Sequence, residues 1–351
     1  MKLLMSRSGS PYTVISEYMR PLQTMVDVRG VDVDTRVSQG HASVPERILF
    51  RLAPRLWFDA ANRRWLDAAR IFRPDATWIF KGVDVYPDTL RALRSQGVFL
   101  VNYNGDHPFE FFARGSGNRN VEEAIGLYDL YITYSERIER QLNARYPDLR
   151  TGVMPFGHNV DDDLFAAISK GDEIPRACFV GNPDKRRASA VRTLVKAGVP
   201  TDVFGHRWED FLSPSPDLRI SGQAIGPAMY ECFFRYRLQL NVMRPHNEGS
   251  HNMRTFEVPA CGGIILTEDT PEQRAFFETD REAFVFNDDA SMVAQAKRIL
   301  AMDRADADAV RRHARARSVS AGYTYADRAR TALDLIARAR AVTPERDRST
   351  R

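Results

Sequence analysis

HNMRTFEVPACGGIILT, His251 to Thr267, is the stretch that decides how the chain is read. Its front is polar and charged, with His251, Asn252 and Arg254, and one acid, Glu257, lies a turn further in. Small and apolar residues follow, then the pair Gly262-Gly263 and the strand-like run Ile264–Leu266. Just upstream lies another apolar run, Leu238–Met243. A helix held between two buried strands is one step of a parallel α/β sheet. Backbone N–H groups at such a helix start attract phosphate, and Gly249 and Ser250 allow close approach. His251 and Arg254 add donors there. Glu257 does not suit phosphate but can accept hydrogen bonds from a ribose diol. An ordinary amphipathic helix with a solvated Glu and Arg has the same pattern, and that reading stays open.

Outward from this stretch the chain repeats the alternation. In the first half the strand-like runs are MKLLM, Ala76–Phe80, Val98–Tyr103, Leu127–Thr133 and Thr151–Pro155. Helical segments are expected at Pro45–Ile71, Pro87–Ser95 and Ser135–Arg145, the last capped by Ser135. Leu49, Leu52, Leu56 and Phe58 mark one apolar face on the first of these. FGHNVDDDLFAAISKGDEIP reads as a linker. Strands are then expected at Ala177–Val180, Thr201–Phe204, Leu238–Met243, Ile264–Leu266 and Ala283–Phe286, with helices at Asp184–Ala197, Ala228–Arg235 and from Ala290 almost to Ala341. Two α/β halves on one linker leave a cleft, and ligands of parallel sheets bind beyond the carboxyl ends of the strands.

The chain has 351 residues, 43% hydrophobic and 27% charged, with a net charge of +4 and a pI near 9.0. This is the composition of a globular protein with a real core, long enough for two domains. The basic surplus is spread out, which permits anionic small ligands or a peripheral membrane contact and does not demand nucleic acid. Cys178, Cys232 and Cys261 form no CxxC pattern and read as reduced thiols of a cytoplasmic protein. No signal-peptide or membrane-span pattern appears.

Three further stretches carry chemistry. In FVGNPDKRRASAVRTL a strand ends at Val180-Gly181 and a helix starts near Asp184, with Lys185, Arg186 and Arg187 in its first turn. The helix dipole repels cations there, so a triple-basic start makes sense with an anion in front of it. A solvated basic face relieved by Asp184 is the alternative. In NYNGDHPFEFF, Asp106 and His107 follow a strand and suit either a base with an acceptor-binding partner or a capped turn. The acids of VDDD, Asp161–Asp163, are better read as a helix cap than as metal ligands, and Asp288-Asp289 likewise. GxxxxGK[ST], GxSxG and zinc-ligand spacings are absent.

These residues also carry a family likeness. NMRTFEVPACGGIILTE, then EQRAFF, FVFND and GYTYADRAR, resembles the C-terminal signature of GT-B glycosyltransferases, and is closest to the group resembling the CgeB spore-maturation protein. WIFKG, LRSQGVFLVNYNGDHP and PFGHNVDDDLF resemble the acceptor half and hinge of that group, and FVGNPDKRR with DVFGHRW the start of its donor half. The likeness runs from about Ala76 to Ile336 and is weak over the first 75 residues.

It implies an α/β fold of two Rossmann-like domains facing across a cleft. Residues 1–157 would form the acceptor-side domain and 158–322 the nucleotide-sugar domain. A helix at 323–340 would cross back, and 341–351 would fray. Gly181, Asn182, Lys185 and Arg187 would face the diphosphate, with His251, Asn252 and Arg254 beside it, Glu257 on the ribose, and Asp106 and His107 as catalytic candidates on the acceptor side. The EX7E spacing of retaining members is not met, because Gly249 stands eight before Glu257 and Glu248 is off by one. The implied activity is transfer of a hexose from a nucleotide-diphosphate sugar to a hydroxyl of a glycan, lipid-linked or protein acceptor, in surface polysaccharide or glycoconjugate synthesis, with no cofactor and no metal. A non-catalytic nucleotide- or sugar-binding partner and a nucleotide-sugar epimerase on the same fold are the alternatives.

Overall fold

The computed structural model describes residues 1–33, 43–53, 55–111, 116–247 and 249–342. Glu248 and the tail beyond 342 lie outside the described residues. The chain divides into two compact units, Met1–Pro155 with Tyr325–Arg351, and Phe156–Thr324.

The first unit holds strands β1 (Lys2–Arg7), β2 (Asp27–Asp32), β3 (Ala76–Phe80), β4 (Phe99–Asn104), β5 (Leu130–Thr133) and β6 (Thr151–Val153). They form one parallel sheet in the order β2-β1-β3-β4-β5-β6. Every residue of β3, β4 and β5 is buried, as expected where helices cover both faces of a parallel sheet. Leu3, Met5, Trp78, Phe80, Val101 and Tyr103 pack against Tyr18 and Leu22 of helix Val14–Met25 and against Tyr325, Ala329, Ala332, Ile336 and Ala339 of helix Tyr325–Ala341. The rings of Tyr18 and Tyr325 meet edge-on at 4.9 Å.

The second unit holds β7 (Ile174–Val180), β8 (Thr201–Phe204), β9 (Leu218–Ser221), β10 (Tyr236–Asn241), β11 (Ile265–Glu268) and β12 (Phe284–Phe286). The order is β12-β11-β10-β7-β8-β9, again all parallel. From β7 the chain first builds outward through β8 and β9, then returns and builds the other way from β10. The order therefore reverses between β7 and β10, and a crevice forms beyond their carboxyl ends. Arg311, on helix Arg304–Ser320, is buried beneath this sheet. It donates to the carbonyls of Phe234, Tyr236 and Gly262 and pairs with Glu173 at 3.1 Å.

Most expected strands are present, and the two that the sequence reading left out, β2 and β9, are both sheet edges. An edge strand keeps one side in water, so β2 (DVRGVD) is polar and lacks the apolar run of a central strand. The expected single helix Pro45–Ile71 is two helices, Val44–Leu52 and Arg55–Phe72. Its expected core face is also corrected. Leu49, Leu52 and Leu56 are exposed, while Ala61, Trp65 and Ala69 supply the buried side. The presumed linker contains helix Asp162–Ile168, whose cap Asp161 accepts from the Leu164 N–H at 2.8 Å. The long C-terminal helical stretch is three helices, Asp289–Ala301, Arg304–Ser320 and Tyr325–Ala341, the first capped by Asp288. Among the described residues, no helix is long and apolar enough to cross a membrane.

Candidate functional site

In the second unit the candidate residues gather where the strand order reverses. β7 ends at Val180 and turns at Gly181, whose φ of +154° disfavours other residues. Its carbonyl accepts from Trp208 Nε1 at 2.9 Å, and a Cβ on Gly205 would lie 2.3 Å from that same oxygen. Asn182 Oδ1 accepts the His206 N–H at 3.0 Å. The GHRW stretch after β8 thus clamps the turn from one side, and Gly205 is what permits the close approach.

Helix Lys185–Lys196 follows, capped by Asp184 and with no acid in its first turn. Lys185 is exposed. Arg186 pairs with Glu268 at 3.0 Å, and the other oxygen of Glu268 accepts the Met243 N–H. The mostly buried Arg187 donates Nε to the Val242 carbonyl at 3.2 Å and Nη1 to the Asn182 carbonyl at 3.0 Å. Its guanidinium also lies over the Phe179 ring. The ends of β7, β10 and β11 are stitched together by these cations.

Burial pulls the Arg187 pKa down to about 10, and Arg244 and Arg254 push the same way against Asp184 and Glu268. Arg244 and Arg254 thus lie near enough to repel Arg187, with Asp184 3.6 Å from Arg187 and Glu257 on Arg254 as counter-charges. Arg244 was not singled out in the sequence. Its signal is its place, three residues beyond the end of β10.

The opening stretch folds as a short helix, Arg254–Ala260, and closes on a Schellman motif. Gly262 N–H bonds to the Pro259 carbonyl, and Gly263 N–H to that of Val258, each at 2.9 Å. Gly262 has a φ of +69°, and a Cβ on Gly263 would lie 2.4 Å from the Phe233 carbonyl. The glycine pair is thus what lets the chain turn into β11. Arg254 sends Nε to the Val180 carbonyl, lies over the Phe233 ring, and pairs with Glu257 one turn in. Glu257 is 3% exposed, so Arg254 supplies the partner a buried carboxylate requires.

His251 is placed differently from the ligand-facing donor the sequence suggested. It is fully buried among Phe156, Phe256 and Phe276. Its Nε2 accepts the Phe156 N–H, so Nδ1 carries the proton and donates to Glu272 Oε2 at 2.6 Å. Ser250 Oγ donates to the same oxygen. Asn252 pairs reciprocally with Asn241, at 2.8 and 3.2 Å. Both side chains fix the turn from behind, while Arg254 reaches the crevice.

In the first unit, Asp106 and His107 follow β4. Asn104 Oδ1 accepts the Asp106 N–H at 2.9 Å, and the Asp106 carboxylate pairs with Lys81 Nζ. Lys81 directly follows β3 with a φ of +59°, an uncommon backbone for a non-glycine residue and one frequent at functional sites. Lys81 was not singled out either. Its partner lies 25 residues away and is set by the pairing of β3 with β4. The His107 ring is buried, and burial lowers its pKa below the usual imidazole value despite Glu110. Its Nδ1 accepts the Phe109 N–H at 3.3 Å, leaving the proton on Nε2, 3.7 Å from Glu110.

A family model described as "Glycosyl transferase-like" matches residues 186–334. No curated protein matches the sequence. Solved structures resemble the whole chain. Sucrose-phosphate synthase from Thermosynechococcus elongatus is 14% identical with a TM-score of 0.69, covering 97% of this chain and 99% of its own. The trehalose-6-phosphate protein from E. coli bound with UDP-2-fluoro glucose is 14% identical with a TM-score of 0.65, covering 96% and 99%. Anabaena HepE in complex with UDP and glucose is 12% identical with a TM-score of 0.62, also covering 96% and 99%. At these identities the likeness establishes the fold. It is that of the GT-B glycosyltransferases, with two parallel six-stranded Rossmann-like sheets flanked by helices.

Proposed function

We propose that the chain transfers a sugar from a nucleotide-diphosphate donor to an acceptor hydroxyl, and that the second unit binds the donor. The observation that carries this is the convergence of Arg187, Arg244 and Arg254 at the strand-order reversal, with Glu257 one turn deeper. Three partly buried guanidinium groups, answered by Asp184 and Glu257, favour a further anion in front of them. A diphosphate supplies that anion, and Glu257 suits a ribose diol.

In the reaction the acceptor oxygen bonds to the anomeric carbon and gives up its hydroxyl proton to a base, as the bond from that carbon to the diphosphate oxygen breaks. Negative charge grows on the departing phosphate, and the fixed guanidinium groups stabilise it without rearranging. We assign that role to the arginines and Lys185 in place of a metal ion. Asp106 and His107, with Lys81, are assigned to the acceptor side. His107 is held neutral with its proton on Nε2, and Lys81 orients the Asp106 carboxylate.

A hexose as the transferred sugar, a glycan acceptor in polysaccharide synthesis and a cytoplasmic location belong to the same proposal, as does membership of the CgeB-like group, which rests on the order of its motifs. The exposed Val44, Ile48, Leu49 and Leu52 on one helix, and the exposed Arg55, Arg63 and Arg64 on the helix that follows it in sequence, support a peripheral contact with anionic lipid. Cosedimentation with anionic vesicles tests that contact, and equal recovery of wild type and Leu52→Glu would remove it. The function itself is tested by incubation with UDP-, GDP- and dTDP-sugars in the presence of a chelator. Binding and turnover of at least one donor is expected. If none is bound or consumed, with or without acceptor, the proposal fails.

A further inference from the structure

Away from the crevice, the second unit brings together a thiol on a strand and a thiol on the helix that covers it. Cys178 on β7 is in register with Asp202 on β8 and with Gln239 on β10. Residues in register across parallel strands project from the same sheet face. Gln239 Nε2 donates to the Cys232 carbonyl at 2.7 Å, so this face is the one covered by helix Pro227–Arg235. Cys178 therefore lies beneath that helix, on the sheet face that the Cys232 segment covers.

The two differ in access. Cys178 is fully buried, whereas Cys232 is partly exposed. Cys232 lines a cavity of about 390 Å³ together with Phe204, Gly222, Glu231, Arg235 and Tyr236, and Cys178 does not. The neighbouring Cys178 thiol lowers the Cys232 pKa, with Arg235 acting in the same sense against burial, Glu231 and Asp202. Burial raises that of Cys178. Cys261, the remaining thiol, is buried, and burial raises its pKa.

We propose that Cys232 and Cys178 form a modification site for hydroperoxides, Cys232 as the attacking thiol and Cys178 as the resolving one. The Cys232 thiolate attacks the O–O bond of hydrogen peroxide, taking one oxygen to give a sulfenic acid and releasing hydroxide. Cys178 sulfur then attacks the Cys232 sulfur, forming the disulfide. The displaced hydroxyl leaves with the thiol proton as water. The two sulfurs are oxidised by two electrons and one peroxide is reduced.

The experiment treats the purified full chain with hydrogen peroxide and reads intact mass, thiol content after denaturation, and disulfide-linked peptides. The expected result is a loss of about 2 Da, a thiol count falling from three to one, and one linked peptide pair containing Cys178 and Cys232. Cys232→Ser should abolish all three changes, and Cys261→Ser should leave the mass loss and the linked pair intact. In Cys178→Ser, Cys232 should accumulate as sulfenic acid trapped by dimedone. Oxidation of Cys232 to sulfinic acid in the wild type with Cys178 still free would overturn the proposal, as would preferential reaction of Cys261. The wild-type peptide map decides the question even if a variant fails to fold.

Discussion

Replacing Arg187 by methionine separates a binding cation from a structural one. The replacement retains an apolar stem against Phe179 and removes the charge. In the folded chain burial pulls the Arg187 pKa down to about 10, which sets about 3 kcal/mol against the charged form. Removing the charge recovers that amount. It also removes the bonds to the Val242 and Asn182 carbonyls and the contact with the Phe179 ring, together about 3 kcal/mol at about 1 kcal/mol each. The unliganded chain should therefore keep its stability to within about 1 kcal/mol. Binding should behave otherwise. A charge-assisted contact to a diphosphate contributes about 1.5–3 kcal/mol, so the Kd for UDP, or for whichever diphosphate the chain accepts, should rise about 10- to 100-fold while that for the nucleoside stays unchanged. Urea denaturation and calorimetric titration measure the two quantities. A large loss of stability with undiminished diphosphate affinity would refute the reasoning, because Arg187 would then be a tie between strands and nothing more.

Glu257→Gln should weaken UDP binding about tenfold and leave binding of 2′,3′-dideoxy-UDP unchanged; equal losses for both would remove Glu257 from the ribose. Gly263→Ala should lower stability by about 1–3 kcal/mol in thermal denaturation, because its Cβ meets the Phe233 carbonyl at 2.4 Å. Gly222→Ala, which meets nothing within 4 Å, is the control and should leave the melting temperature unchanged. The pKa of His107 is lowered on folding, so the unfolded chain binds its proton more readily. The stability it contributes is full above the ordinary value of 6.5 and is lost as pH falls below it, so His107→Gln should flatten the acid side of the stability–pH profile relative to wild type.

What was legible in the sequence follows from burial. β3, β4 and β11 are buried at every position and stand out as apolar runs, whereas β2 and β9 at the edges carry no such mark. The basic start of helix Lys185–Lys196 was readable because the cations sit side by side in sequence. Arg244 and Lys81 were not, because their neighbours are supplied by strands distant in the chain. His251 shows the opposite failure. A polar residue before a helix looks the same whether it meets a ligand or an internal carboxylate, and here the carboxylate is Glu272, 21 residues further on. The apolar stripe at Leu49, Leu52 and Leu56 has the period of a core-facing helix, yet it meets solvent. Periodicity reports a face, and only the fold says what the face touches.

The way the first core is completed sets an order of events during synthesis. Its strands are made before the second unit, but Tyr325, Ala329, Ala332, Ile336 and Ala339 are needed to finish it, and they leave the ribosome only after the second unit. The second unit lies wholly between these two parts of the chain, and Arg311 closes it from within. It can reach its native packing while the first sheet still waits for its final helix. During that interval the waiting sheet exposes Trp78, Phe80 and Tyr103, and the nascent chain is then most exposed to aggregation and most dependent on chaperones.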